Sequence, residues 1–359
     1  MARDLLRNGG VKMGRKFEDE RALRETLERL YFEEGCSLPT IARILHVNYR
    51  TVWRWFEKFG IPRRTLSDAI SLALSSIYNR PYDPSKDENT VIELNALYHT
   101  DFTCLYRNRK VRIHSGTSRI GQIQFFNKII TSHNLMPVRC APTWSKTINY
   151  QWLIYTHLDE TFKGVFEKDK IRYLESLKDD REALLLYFTR VVECDGWIEI
   201  VAPSSALCRK RICAYIGFAQ KDHQYVQRLA EIISETFNVP VTVRYYKKDL
   251  TKLYLPMIDE RVKDLLYKMP MVHPERNLKR DLALRCAGEV ATEDLLREIN
   301  NARSVIRQLR DLTVELARER HLLDMRKRAM AADKLVEEVL RRYAERYNDY
   351  YYIERYYRI

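Results

Sequence analysis

The chain has 359 residues, 45% of them hydrophobic and 31% charged, which excludes a collagen-like, mucin-like or fully disordered protein and gives length for two or three domains. Its 62 Lys and Arg against 49 Asp and Glu leave a formal charge of +13, with an excess of four basic residues in 1–70 and eight in 71–288, so a polyanionic partner is expected. No apolar run approaches the roughly 20 residues needed to cross a bilayer, the start lacks a secretory core, and seven scattered Cys form no C-x-x-C pair; the expectation is a cytoplasmic, nucleoid-associated protein, with no membrane partner, whose cysteines are buried thiols.

Residues 1–70 are expected to form an all-α unit. Apolar positions recur at helical spacing: Leu23, Leu27 and Leu30, then Ile41, Ile44 and Leu45, then Val52, Trp55 and Phe56. Gly35 and Gly60 stand where the first and third helices should stop, and Ser37 and Asn48 can cap the second and third. Only His46, Val47 and Asn48 separate those last two helices, and Ala42 is small where they must approach. The arrangement resembles the helix-turn-helix of DNA-binding proteins, with His46 at the turn position where glycine is usual and a left-handed backbone is required. Tyr49, Arg50, Thr51 and Arg54 then project from the third helix, as side chains that enter a major groove would.

Pro81 and Pro84 amid Asp, Asn and Ser mark a linker over 71–87. From 88 to 288 the chain can be laid on itself, with copies over 88–178 and 179–288. Each begins with an apolar helix ending in an acid, VIELNALYHTDF and ALLLYFTRVVECDGW. Each continues with a hairpin, an amphipathic helix, a second hairpin, and a helix beginning at Asp159 or Asp259. Alternation within the strands separates Val111, Ile113, Val138, Ile216, Val241 and Val243 from Arg112, Arg139, Arg209, Arg211, Tyr215 and Arg244, so that one face of each sheet is apolar and the other basic and aromatic. Such a face suits a nucleic-acid duplex.

A carboxylate at the C-terminal end of an apolar helix opposes the helix dipole, and a bound cation would explain it. If the copies pack through these helices, Asp101 and Asp195 share one site that could hold Mg²⁺. Leu94 to Phe102 (LNALYHTDF) and Phe188 to Gly196 (FTRVVECDG) resemble the nine-residue motif of LAGLIDADG homing endonucleases. The resemblance implies an α+β fold of two pseudo-symmetric αββαββα units forming a saddle-shaped antiparallel sheet, the motif helices at their interface and the eighth motif residues, Asp101 and Asp195, as metal-binding acids. It further implies catalytic roles for Gln220 and Lys221, with Thr117 the nearest match in the first copy. Departures from the motif are His99 in place of an acid, Phe102 in place of glycine, and Arg190 in place of a glycine that lets the helices touch. Lys221, Lys247, Lys279 and Arg276 are candidates for the basic group that meets transition-state charge; Lys247 is also placed on the DNA-binding face.

Residues 289–359 lack Pro and Gly and follow a three-four spacing through Ile299, Ala302, Ile306, Leu309, Thr313 and Leu316, as a long helix or helical hairpin would. Seven Tyr in the last 17 residues could stack on bases or fold back. The reading is a site-specific duplex-DNA endonuclease of intron-homing type using Mg²⁺, a monomer through its internal twofold, with a dimer, in which the C-terminal helices pack on a second subunit, left open. The alternatives are a DNA-binding regulator on an inactive version of the fold, or a maturase acting on RNA.

Overall fold

In the computed structural model, which describes residues 20–65, 83, 87–107, 110–145, 149–203, 211–246, 249–323 and 328–357, the chain divides into two units, Met1–Ile77 and Tyr78–Ile359. The first is helical. Helix α1 (Glu20–Glu28) runs on into a π-helical turn, Arg29–Glu33, and is followed by α2 (Leu38–Ile44) and α3 (Tyr49–Lys58). The caps read from the sequence are present: Ser37 Oγ accepts from Thr40 N at 3.2 Å, and Asn48 Oδ1 from Arg50 N at 2.9 Å. His46 adopts a left-handed backbone, φ 51°, and so turns α2 into α3 at a position that glycine would fill without strain. Leu23, Leu27, Leu30, Tyr31, Ile41, Ala42, Val52, Phe56 and Ile61 form the core. Ile44 departs from expectation at 44% exposure, its place against the core being taken by Leu45 and Val47.

The larger unit contains the repeated order. Its first copy comprises α4 (Glu88–Tyr98), β1 (Thr103–Arg107), β2 (Lys110–Thr117), α5 (Ile120–Ser132), β3 (Arg139–Ser145), β4 (Asn149–Asp159), a 3₁₀ turn at Glu160–Gly164 and α6 (Lys170–Leu177). The second comprises α7 (Arg181–Cys194), β5 (Gly196–Val201), β6 (Cys213–Gln220), α8 (His223–Phe237), β7 (Thr242–Tyr246), β8 (Leu250–Pro256), α9 (Glu260–Lys268) and α10 (Pro274–Cys286). Where the sequence suggests a helix from Asp159, that residue caps only the 3₁₀ turn, and the full helix starts after a second cap, Asp169. The fold is α+β, and each copy builds its own antiparallel sheet, ordered β1-β2-β4-β3 and β5-β6-β8-β7.

Burial alternates along the strands with a period of two, so one face of each sheet joins a single apolar core with the helices. Helices α4 and α7 pack directly on each other inside it. At Gly196 a Cβ would stand 2.6 Å from the Val192 backbone, so only glycine lets β5 leave α7 this closely. Its counterpart Phe102 is instead buried against Phe126, ring centroids 4.4 Å apart. Arg190, in place of a small residue, does not hold the helices apart. Its guanidinium reaches from α7 to Glu93 of α4 at 2.6 Å and also pairs with Glu193, which accepts the backbone N–H groups of Val272 and His273. His133 binds the other side of Glu93 and reaches Asp87.

The C-terminal region is helical with one interruption that the sequence pattern does not show. Helix α11 (Glu293–His321) lies along β3 and β4, and Trp152 Nε1 donates to the Thr313 carbonyl at 3.0 Å. Val305 and Leu312 join the expected stripe in the core, and Ile306 is only partly buried. The two-residue strand β9 (Met330–Ala331) then pairs with β3 and closes that sheet's edge, before α12 (Ala332–Tyr347) and α13 (Tyr351–Tyr356). Tyr343, Tyr352 and Tyr357 fold back into the core, whereas Tyr347, Tyr350 and Tyr351 are exposed. Among the described residues no helix is long and apolar enough to cross a membrane. Cys140, Cys194 and Cys286 are buried as expected, but Cys36 and Cys104 are half-buried and Cys213, the first residue of β6, is exposed; Cys208 lies outside the described residues.

Candidate active site

Asp195 follows α7 directly, and Asp101 lies three residues beyond α4, so the contact between those helices brings their C-terminal ends and the two acids together. The carboxyl of Asp195 is pushed up to about 8, first by burial and then by the hydrogen bond and negative charge of Asp101; Gln220 and Lys170 pull it back. Asp101 itself is exposed. Two carboxyls at the negative ends of two helices cannot both ionise cheaply without a cation. The donor set is oxygen only, and among the described residues no third His, Cys, Asp or Glu joins it. This suits a hard divalent cation that takes its remaining ligands from backbone, water or phosphate.

Gln220, at the end of β6, is fixed by three hydrogen bonds. Its Nε2 donates to Asp195 Oδ2 and to the His99 carbonyl, both at 2.8 Å, and its Oε1 accepts from Lys170 Nζ at 3.0 Å. Lys170 donates a second bond to the His99 carbonyl at 2.8 Å. An ammonium beside Oε1 settles which way the amide faces, so Nε2 must point at the acid. Burial lowers the Lys170 pKa, with Asp222 and Asp195 acting against it. His99 is part of the support: burial pulls its pKa down to about 4, so the ring is neutral near pH 7. Its Nε2 faces the Glu167 carbonyl at 2.8 Å and must carry the proton. Nδ1 therefore accepts from Tyr187, which in turn accepts from Tyr225, each at 2.8 Å.

Lys170 is the residue that sequence reasoning missed. It is the first residue of α6, signalled only by the Asp169 cap before it, and nothing local in the sequence indicates that this helix start reaches β6. Lys221, expected here, is exposed and is not among the groups bonded to Gln220 or Asp195. Arg276 and Lys279 lie on α10 with Glu275, which pairs with Arg119 at the start of α5; burial lowers both their pKa values, that of Lys279 to about 8. The first copy is not equivalent: Thr117 Oγ1, where Gln220 stands in the second, accepts from Arg119 N at 3.1 Å.

The outer sheet faces carry the expected charge with one correction. Arg112, Arg139 and Arg244 lie on them, Arg112 above the Tyr155 ring at 4.7 Å. His114 lies on the same face as Arg112, and Lys110, His157 and Lys252, which were not singled out from the sequence, belong to these faces too. Arg211 precedes β6, where the sequence pattern puts it in the strand; it bridges to Val290 and donates to the Gly288 carbonyl at 2.8 Å. Arg209 and Lys247 lie outside the described residues. On α3 of the N-terminal unit, Tyr49, Arg50 and Arg54 are exposed and Thr51 is half-buried.

No protein-family model matches the chain, and no curated protein matches it in sequence. Among solved structures it is similar to the homing endonuclease I-WcaI bound to its DNA recognition sequence, at 14% identity over 62% of this chain and 96% of that one, TM-score 0.41. It is similar to I-DmoI in complex with DNA and Mn, at 11% identity over 50% and 96%, TM-score 0.32. A third is the N-terminal LAGLIDADG domain of DUF199/WhiA, at 10% identity over 59% and 95%, TM-score 0.35. The solved structures that the chain resembles are thus LAGLIDADG homing endonucleases and a LAGLIDADG domain.

Proposed function

We propose that this protein is a site-specific endonuclease of homing type that hydrolyses phosphodiesters of double-stranded DNA with Mg²⁺. The observation that carries the reading is the Asp101–Asp195 pair with Gln220 and Lys170 held against it. The two acids lie just before β1 and β5, edge strands of the two sheets, so in this reading the carboxyls stand where two basic faces start. In this reading Arg112, Arg139, Arg244, Lys110 and Lys252 hold the phosphate backbone, and Arg50, Arg54, Tyr49 and Thr51 add contacts from a helix-turn-helix.

Asp101 and Asp195 would hold the cation, and Lys170 keeps the Gln220 amide directed at the acids. When bound, a divalent cation there supplies Lewis acidity to the phosphodiester and favours ionisation of water. Gln220 restrains the Asp195 carboxylate from rotating away, and Lys170 places a positive charge beside a centre that receives an anionic substrate.

The test is selection of cleaved duplexes from a randomised library by the purified chain in Mg²⁺. Asp195→Asn and Asp101→Asn should each abolish cutting while duplex binding persists, and Gln220→Ala should slow it by about 10- to 100-fold. A double Asn variant that cuts like the parent would overturn the reading. One observation favours a DNA-binding regulator instead: Thr117 offers the Asp101 side no amide. Sequence-specific duplex binding with no Mg²⁺-dependent product would decide for it.

A further inference from the structure

β5 is the outer strand of the second sheet, and beyond it a cavity of about 270 Å³ opens between that strand, α10 and α11. Its walls are aliphatic. Ile198 and Ile200 turn inward from β5, Leu282 comes from α10, and Ile299, Ala302 and Ile306 come from successive turns of α11. Of these only Ile306 is not fully buried. Arg303 fixes α11 against the strand beside the cavity, its Nη2 donating to the Ile200 carbonyl at 2.6 Å.

Lys279 brings the one ammonium to this lining, and among the described residues no hydrogen bond or ion pair engages it. Burial pulls its pKa down to about 8, Arg276 and Arg119 act in the same direction, and Glu275 and Glu199 oppose them. Both acids already have partners, Glu275 in Arg119 at 3.6 Å and Glu199 in the Tyr215 hydroxyl. Arg276 is itself buried with its Nε unbonded. With Arg303 included, four cations stand against two acids.

A desolvated ammonium amid an excess of positive charge calls for an anion, and aliphatic walls disfavour one as strongly hydrated as phosphate. An engineered cavity of about 150 Å³ holds benzene, so this one has room for roughly ten heavy atoms. We propose that the cavity binds a medium-chain aliphatic carboxylate, its chain against the isoleucine and leucine walls and its carboxylate paired with the Lys279 ammonium. Such a ligand ties α11, which belongs to neither copy, to α10 and β5. None of the groups given to metal or DNA in the proposed function lines the cavity, so the inference stands or falls apart from that reading.

Trp197 is part of the lining and reports occupancy. Titration of the full chain with sodium octanoate should change tryptophan emission saturably, the signal being lost in Trp197→Phe, and calorimetry should give one site per chain. Affinity should rise by about fourfold per methylene from butyrate to octanoate. Lys279→Met should weaken octanoate binding by about tenfold or more and change that of 1-octanol, which has no charge, by less than about threefold. Ile306→Phe, at the half-buried wall position, should weaken both ligands alike, with the far-UV circular dichroism of each variant unchanged. Absence of saturable octanoate binding, affinity independent of chain length, inorganic phosphate bound as tightly as octanoate, or a folded Lys279→Met variant that binds octanoate like the parent would overturn it.

Discussion

At the scale of single residues, the site is defined by a carboxyl that keeps its proton to about pH 8 because burial and Asp101 oppose its charge. A divalent cation must displace that proton, so Mn²⁺ affinity should rise by about tenfold per pH unit from pH 6 towards 8 and level off above it. Calorimetric titration of Mn²⁺ into the protein checks this, and Asp195→Asn should abolish the pH dependence along with most of the affinity. Lys170→Met removes a positive charge that favours ionised Asp195, so the carboxyl should titrate at still higher pH, as ¹³C NMR of labelled aspartate would record. Neither Lys170 nor the tautomer of His99 could be read from the chain, because both depend on groups brought near only by folding: the nearest bonded partner of Lys170 is 50 residues away.

At the scale of elements, the contact between α4 and α7 rests on a buried ionic network where the sequence suggests a clash. Arg190→Met leaves Glu93 and Glu193 buried without their shared partner and should cost about 3–5 kcal/mol in urea unfolding. His133 couples the same network to pH. Burial pulls its pKa down, but Glu93 and Asp87 more than offset this, so the folded value is raised. Its contribution is then complete below the unfolded value of about 6.5 and disappears as pH rises through the folded value. Destabilisation by His133→Gln should therefore be largest near pH 6 and shrink in alkaline buffer. Burial likewise raises the Glu93 pKa, and His133 and Arg190 reverse this, holding it below the usual carboxylate range. That share is present above about pH 4.5 and is lost as pH falls through the folded value.

The elements themselves were largely legible. Periods of 3.6 and 2, with caps at Ser37 and Asn48, are local properties, and they located the three N-terminal helices and the inward faces of the strands. Strand β9 was not legible, since two residues carry no period and exist as a strand only because β3 offers an edge.

At the scale of the whole molecule, the proposed function has each of the two units contribute a nucleic-acid-binding surface of its own kind. The N-terminal unit has its own core, separate from that of the larger one. A chain starting at Tyr78 should stay folded, as circular dichroism would show, while duplex affinity falls and its dependence on salt becomes shallower. The central claim is that acids from two copies of one unit meet around a divalent cation, and anomalous diffraction at the manganese edge from Mn²⁺-soaked crystals addresses it most directly. The expected result is a peak bridging Asp101 and Asp195 that vanishes in Asp195→Asn; a map without a peak there, or an unchanged peak in that variant, would contradict it.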